Sequence, residues 1–361
     1  MVFRFWIYAV YTRRGPVQSA RGGRKNWGMM RHAITGALCS VIGLILIAWL
    51  GTGLLGFHAL FGVVIPYAAC VVFFAGFIYR VVAWARSPVP FHIPTVCGQQ
   101  KSLPWIRASA TESPSSGWGV FLRMLLEILF FRSLFRNDRA ELKQPGRLVY
   151  GSNRFLWLGG LIFHWSLAVI LFRHLRFLTE PVLPGIAFVQ GVDGMFQVGL
   201  PELYITDAVI LVALAYLLVR RLVYPQVRLI SLTSDYFALL LIGGIVVTGV
   251  LMRHVFKIDG ASAKQLVMGL VSFCPVVPEK LGIPFYVHIF LVSVLLAYFP
   301  FSKLMHAPGV FLSPTRNLAN DSRAKRHINP WSYPVKVHTY EEYEDEFRDA
   351  MKEAGVPVEK Q

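Results

Sequence analysis

Four histidines in this 361-residue chain fall inside, or at the end of, long apolar runs. His164 and His174 lie ten residues apart in FHWSLAVILFRHLRF, and His288 and His306 eighteen apart in VHIFLVSVLLAYFPFSKLMH. An imidazole removed from water needs a partner, because an unsatisfied polar group in an apolar medium costs several kcal/mol. Haem iron is such a partner, and histidine is one of its standard axial ligands. On the first run alone the plainer reading stands beside this one: each histidine hydrogen-bonds a neighbouring helix. Two histidines on each of two runs strengthen the case for paired ligation of two flat cofactors.

The runs that carry them define the architecture. A bilayer core takes about 20 apolar residues in a helix, and six stretches qualify: about 33–55, 58–84, 155–172, 204–223, 236–255 and 285–304. The fold class expected is therefore all-α, a polytopic membrane helical bundle of six transmembrane helices. The first two form a hairpin with a short turn at Gly56. Glycines inside the runs (Gly159–Gly160, Gly243–Gly244) suit either close helix packing or room for a flat cofactor.

Lys and Arg counts set the direction. Residues 1–31 carry seven, the stretch from Arg80 to Arg154 eleven, and the 220–235 connection Arg220, Arg221 and Arg228. On the other side the first turn carries none, 175–202 only Arg176, and 257–283 three lysines. Both termini are then expected to be cytoplasmic, in the inner cell membrane, as six spans also require. The third span runs outward and the sixth inward, so His164 pairs with His306 near the inner side and His174 with His288 near the outer. On straight helices the two spacings correspond to about 15 Å and about 27 Å, an unequal match that tilt must absorb. His32, His58 and His254 sit at span ends, and His92, His327 and His338 in loops or the tail.

Composition agrees. The chain is 55% hydrophobic and 16% charged, where a soluble domain is about a quarter charged. Its +16 charge lies between the apolar runs, so the lipid bilayer is the expected partner and nucleic acid is not. Cys39, Cys70, Cys97 and Cys274 form no CxxC or CxxCH arrangement, which argues against an iron–sulfur or covalent haem motif in this chain. The twin arginine Arg13–Arg14 lacks the apolar core of an export signal. The expected divisions are a basic N-terminal tail (1–31), a transmembrane hairpin (32–84), a basic cytoplasmic insertion (85–152), a four-span core (153–306) and a cytoplasmic C-terminal tail (307–361). In the insertion, 117–135 reads as an amphipathic helix lying on the membrane. In the tail, the acidic run Glu341, Glu342, Glu344, Asp345 and Glu346 is either a solvated face or a docking strip for a cytoplasmic partner.

The spacing His-x9-His, then His-x17-His closing in FPFSKLMHAPG, resembles the gamma subunit of respiratory nitrate reductase, a five-helix dihaem cytochrome b. The resemblance covers about residues 58–310 and implies that the last five spans are gamma-subunit-like. It implies two haem b groups, one on His164 and His306 and one on His174 and His288, with haem iron as the metal. The extra N-terminal span, basic insertion and longer tail are similar to the cytochrome b subunits of sulfite-reduction-associated membrane complexes. That likeness implies electron exchange with menaquinone in dissimilatory sulfur metabolism. The partners it implies are a heterodisulfide-reductase-like cytoplasmic iron–sulfur subunit, a second quinone-interacting membrane subunit, and external multihaem cytochrome c and ferredoxin-like subunits.

Quinol oxidation releases protons, so a quinone site needs an acid/base group near the haem edge. Outer-side candidates are Arg173, Arg176, Glu202, Tyr204 and Asp207. Asp207 has an alternative reading as a carboxylate paired with Arg173 or Arg176, and the lysine that the gamma subunits carry in this neighbourhood is missing. Two other function classes compete with electron transfer: a proton-coupled secondary transporter using the histidines as a relay, and a haem-free membrane anchor. Few intramembrane carboxylates and no evident internal repeat weigh against the transporter.

Overall fold

In lipid an apolar run leaves the backbone no hydrogen-bonding partner but itself, and each of the runs becomes a helix. The computed structural model describes residues 21–87, 98–136, 138–143, 146–195, 203–313, 316–321, 323 and 337–359. Helices α1 (Arg21–Gly53) and α2 (Ile65–Ala85, entered through a π-turn at Leu60–Val64) form the expected hairpin. Its turn is made at Gly56, whose φ of 66° suits a residue without a Cβ. Then follow α3 (Gly117–Phe130), a two-stranded antiparallel ribbon of β1 (Asp138–Lys143) and β2 (Arg147–Ser152), and α4 (Arg154–His174). The rest comprises α5 (Pro184–Asp193), α6 (Ile205–Val223), α7 (Thr233–His254), α8 (Gly260–Val271), α9 (Ile283–Tyr298) and α10 (Tyr340–Glu353).

Among the described residues, five helices are long and apolar enough to cross a membrane: Met30–Gly53, Leu60–Ala85, Arg154–Phe177, Thr233–His254 and Ile283–Phe301. The remaining expected span forms as α6, whose 19 residues extend about 28 Å. Asp207, Arg220 and Arg221 stand near its two ends and fall within any 18-residue stretch of it. It packs along α4 on one side and α7 on the other. Side chains such as Ile47, Phe74 and Val212 point outward, 56%, 60% and 70% exposed, as a lipid-facing surface requires.

The core lies where α1, α2, α7 and α9 meet, around Val41, Phe61, Leu241, Leu266, Tyr286 and Leu291. Helix α4 reaches it through α6, and a second apolar cluster joins Ile210 and Leu214 to Phe163, Leu167 and Leu295. Among the described residues the backbones of α4 and α9, the two histidine helices, do not pack closely on each other.

The sixth span is not a continuous helix to Leu304. Helix α9 stops at Tyr298, and 3₁₀ turns at Phe299–Phe301 and Lys303–Met305 follow, separated by an extended Ser302 (φ −116°, ψ 177°). Pro300 cannot supply the next helical N–H, and Ser302 caps the following turn by accepting from Leu304 N at 3.1 Å. The straight-helix estimate of about 27 Å between His288 and His306 therefore does not apply.

Candidate functional site: two pairs of histidines

Helix α4 presents His164 and His174 ten residues apart, on α9's side of the bundle. The broken end of α9 brings His306 to His164, with ring centres 6.0 Å apart and planes at 85°. Two imidazole nitrogens each about 2 Å from one shared metal ion, with a ring centre about 1 Å behind each, give roughly this separation. At the other level His174 and His288 lie within electrostatic reach of each other.

The second ring nitrogen of each histidine is committed. His164 Nδ1 donates to Gly160 O (2.7 Å), His174 Nδ1 to Ile170 O (2.7 Å) and His306 Nδ1 to Lys303 O (2.8 Å). A carbonyl can only accept, so these rings carry their proton on Nδ1 and keep the Nε2 lone pair free. His288 Nδ1 lies 2.9 Å from Thr248 Oγ1, whose own proton serves Gly244 O at 2.8 Å. Gly249 faces this ring: a Cβ there would stand in van der Waals contact with His288 Cε1, at 3.4 Å. Three imidazoles with Nε2 free, together with His288 held by Thr248, are a donor set that would suit haem iron. Among the described residues no three His, Cys, Asp or Glu side chains gather as ligands for one metal ion. Cys39, Cys70 and Cys274 are unbridged thiols, and Cys97 falls outside the described residues.

Beside His174 lies a buried ionic network. Arg173 NH2 reaches Asp207 Oδ1 at 2.7 Å and Thr206 Oγ1 at 3.2 Å. Its Nε is 2.8 Å from Asp193 Oδ2, a close ion-pair contact although the N–H does not point along it. Asp193 also accepts from Thr206 N (2.9 Å) and Oγ1 (2.6 Å). The ring of Tyr204 is sandwiched between the guanidinium groups of Arg173 and Arg253, 3.7 and 4.2 Å from its centre. Of the five residues expected near a quinone, Arg173, Tyr204 and Asp207 are thus brought together, with Asp207 paired as its plainer reading held. Arg176 turns aside to Gln190 Oε1 at 3.0 Å, and Glu202 lies outside the described residues.

Residues 118–323 match the nitrate reductase gamma subunit family. The chain is 46% identical over 279 residues to an "Hdr-like menaquinol oxidoreductase cytochrome b-like subunit" of Archaeoglobus fulgidus, covering 75% of this chain and 83% of that one. The protein of the same name from Archaeoglobus profundus is 43% identical over 274 residues, 74% of this chain and 81% of its own. The chain belongs to the nitrate reductase gamma subunit family. As a member it is an integral membrane protein of cytochrome b type with an electron-transfer role.

Within this gamma-subunit framework several residues at the site went unnoticed in the sequence. Asp193 was one carboxylate in a connecting stretch, with nothing in its spacing to tie it to Arg173. Thr248 and Gly249 sit in an apolar run that otherwise reads as packing surface. Close in sequence to His306, Lys303 binds Asp235 at 2.8 Å, and Asp235 in turn accepts from Leu232 N at 3.0 Å to cap α7. That pair fixes the N-terminal end of α7 to the turn that leads into His306.

Proposed function

We propose that this chain is a dihaem cytochrome b subunit that passes electrons between menaquinone and a cytoplasmic iron–sulfur partner in dissimilatory sulfur metabolism. The observation that carries the reading is the His164–His306 pair, 6.0 Å apart with both Nε2 atoms free. In this reading His164 and His306 hold the inner haem b, and His174 and His288 the outer. Bound there, the two groups supply one-electron carriers at two depths of the membrane. The protein holds the imidazoles of His164, His174 and His306 in one tautomer through their Nδ1 bonds.

The menaquinone assignment draws on the names of the two archaeal relatives. Asp207, Arg173 and Arg176 lie within electrostatic reach of His174, which makes the outer network the place where this chain can position a proton acceptor for quinol. Asp207 and Asp193 hold negative charge there, and Arg173 and Tyr204 order it. The expected partners are the heterodisulfide-reductase-like subunit, a second quinone-interacting membrane subunit and the external cytochrome c and ferredoxin-like subunits. Both termini then face the cytoplasm from the inner membrane.

The test is reduction of the purified holoprotein by a menaquinol analogue, followed in the visible haem bands. The reading predicts that both spectral components become reduced, and that His174→Ala slows entry of electrons more than it alters the inner component. A haem-bearing protein that no menaquinol analogue reduces, alone or in its complex, would contradict the quinone assignment.

A further inference from the structure

The segment before α4 does more than lie on the membrane surface. Trp157 Nε1 donates to Phe130 O at 2.6 Å, and Trp165 Nε1 donates to Leu129 O at 2.9 Å. These two tryptophans stand eight residues, or about 12 Å, apart on α4. The C-terminus of α3 therefore sits between them, about 10 Å in from the start of α4 and close to the level of His164. There the helix breaks: Phe131 takes the left-handed conformation with φ 49°, uncommon for a bulky residue and a sign of local constraint. Its ring meets that of His164 perpendicularly, 4.9 Å centre to centre. A turn at Arg132–Phe135 then packs Leu134 toward Gly160 and Phe135 on Trp157 before the chain leaves through the β-ribbon.

The break is braced by Glu127. Its Oε2 accepts from Ser133 N (2.9 Å) and Ser133 Oγ (2.6 Å), spanning the left-handed residue, and its Oε1 accepts from Arg316 at 2.8 Å. Arg316 follows His306 by ten residues, and nearby Asn320 N donates to Pro114 O at 2.7 Å, just before α3. One re-entrant clasp thus touches the His164 helix directly and is tied to the chain beyond His306.

We infer that Phe131 is a positioning residue for the inner haem, closing that site against lipid and water and fixing the orientation of the His164 ring, with Glu127 holding it in place. The inference rests on the assignment of haem to His164 and His306. Burial and the surroundings of an axial ligand are levers on a haem's potential, and access of water stabilises the more highly charged oxidised state. The test uses Phe131→Gly, which accepts the left-handed backbone without strain, and Phe131→Tyr as the conservative control. In the detergent-purified holoprotein, Phe131→Gly is expected to change the low-spin EPR signal of the inner haem and lower its midpoint potential. The outer haem serves as the internal reference and stays unchanged, and Phe131→Tyr restores the native inner values. Glu127→Gln, which weakens the brace, shifts the inner haem in the same direction by less, and it carries the test should Phe131→Gly fail to fold. An inner haem unaffected by these substitutions, or two haems that shift together, would overturn the inference. Native protein without haem would instead overturn the functional reading on which it stands.

Discussion

Replacing Arg173 by methionine should destabilise the protein more than any single surface change. Arg173 and Asp193 are only 6% and 5% exposed, and the guanidinium lies 2.8 Å and 2.7 Å from carboxylates on two different elements, α5 and α6. Methionine keeps much of the stem volume but leaves two buried carboxylates facing each other without a cation. Removing one partner of a buried ion pair costs about 3–5 kcal/mol, and loss of the stack on Tyr204 adds up to about 1–2 kcal/mol. The expected loss is therefore about 4–7 kcal/mol, read as the shift in equilibrium unfolding of the detergent-solubilised protein. The triple variant Arg173→Met, Asp193→Asn, Asp207→Asn removes the stranded charges as well, and should recover most of that loss, because neutral replacement of a buried ionic group is often close to neutral overall. A loss below about 1 kcal/mol for Arg173→Met, the range of solvent-exposed pairs, would refute the claim that this network is buried and dry. A triple variant as unstable as the single one would refute the charge argument specifically.

Three further outcomes follow from the geometry. Thr248→Val removes the acceptor for His288 Nδ1 and should alter only the outer haem's spectrum, while Thr248→Ser preserves it. Trp157→Phe and Trp165→Phe each delete one indole bond to the end of α3. Each should cost about 1 kcal/mol in unfolding titrations and raise hydrogen exchange in residues 117–136. Outside the membrane, burial raises the Glu112 carboxyl, but the Arg132 and Arg136 guanidinium groups outweigh it and hold the group below its usual value. A carboxylate depressed on folding contributes stability above the ordinary range of about 4–4.5 and loses it as pH falls through the lowered value. Glu112→Gln should therefore flatten that acid limb of the stability profile while leaving its form near pH 8 unchanged.

The parts of the fold that were legible in the sequence are those governed by periodicity and solvation. Long apolar runs have one low-energy backbone state in lipid, so the spans and the Gly56 turn could be read directly. Where the chain departs from regular helix the signal was weaker. Pro300 stood inside the last run as a visible breaker, yet the apolar residues around it suggested continuity. The break at Phe131 had no glycine or proline to announce it, because tertiary contacts with Glu127, Ser133 and α4 impose it. The β-ribbon went unread within the basic insertion, because its six-residue strands carry no clear alternation of apolar and polar residues. Asp193 became part of the site through the fold of the outer connections, a long-range effect that no local pattern carries. Asp207 was ambiguous for a related reason: a carboxylate near a span's end serves catalysis and ion pairing with the same residue type.

The most direct test is a pyridine haemochrome count on the purified chain, combined with reduced-minus-oxidised spectra of the four single histidine variants. The account predicts two haems b per native chain. It predicts one shared component lost in His164→Ala and His306→Ala, and a different shared component lost in His174→Ala and His288→Ala. A haem-free native chain, or loss of the same component in His164→Ala and His174→Ala, would contradict it.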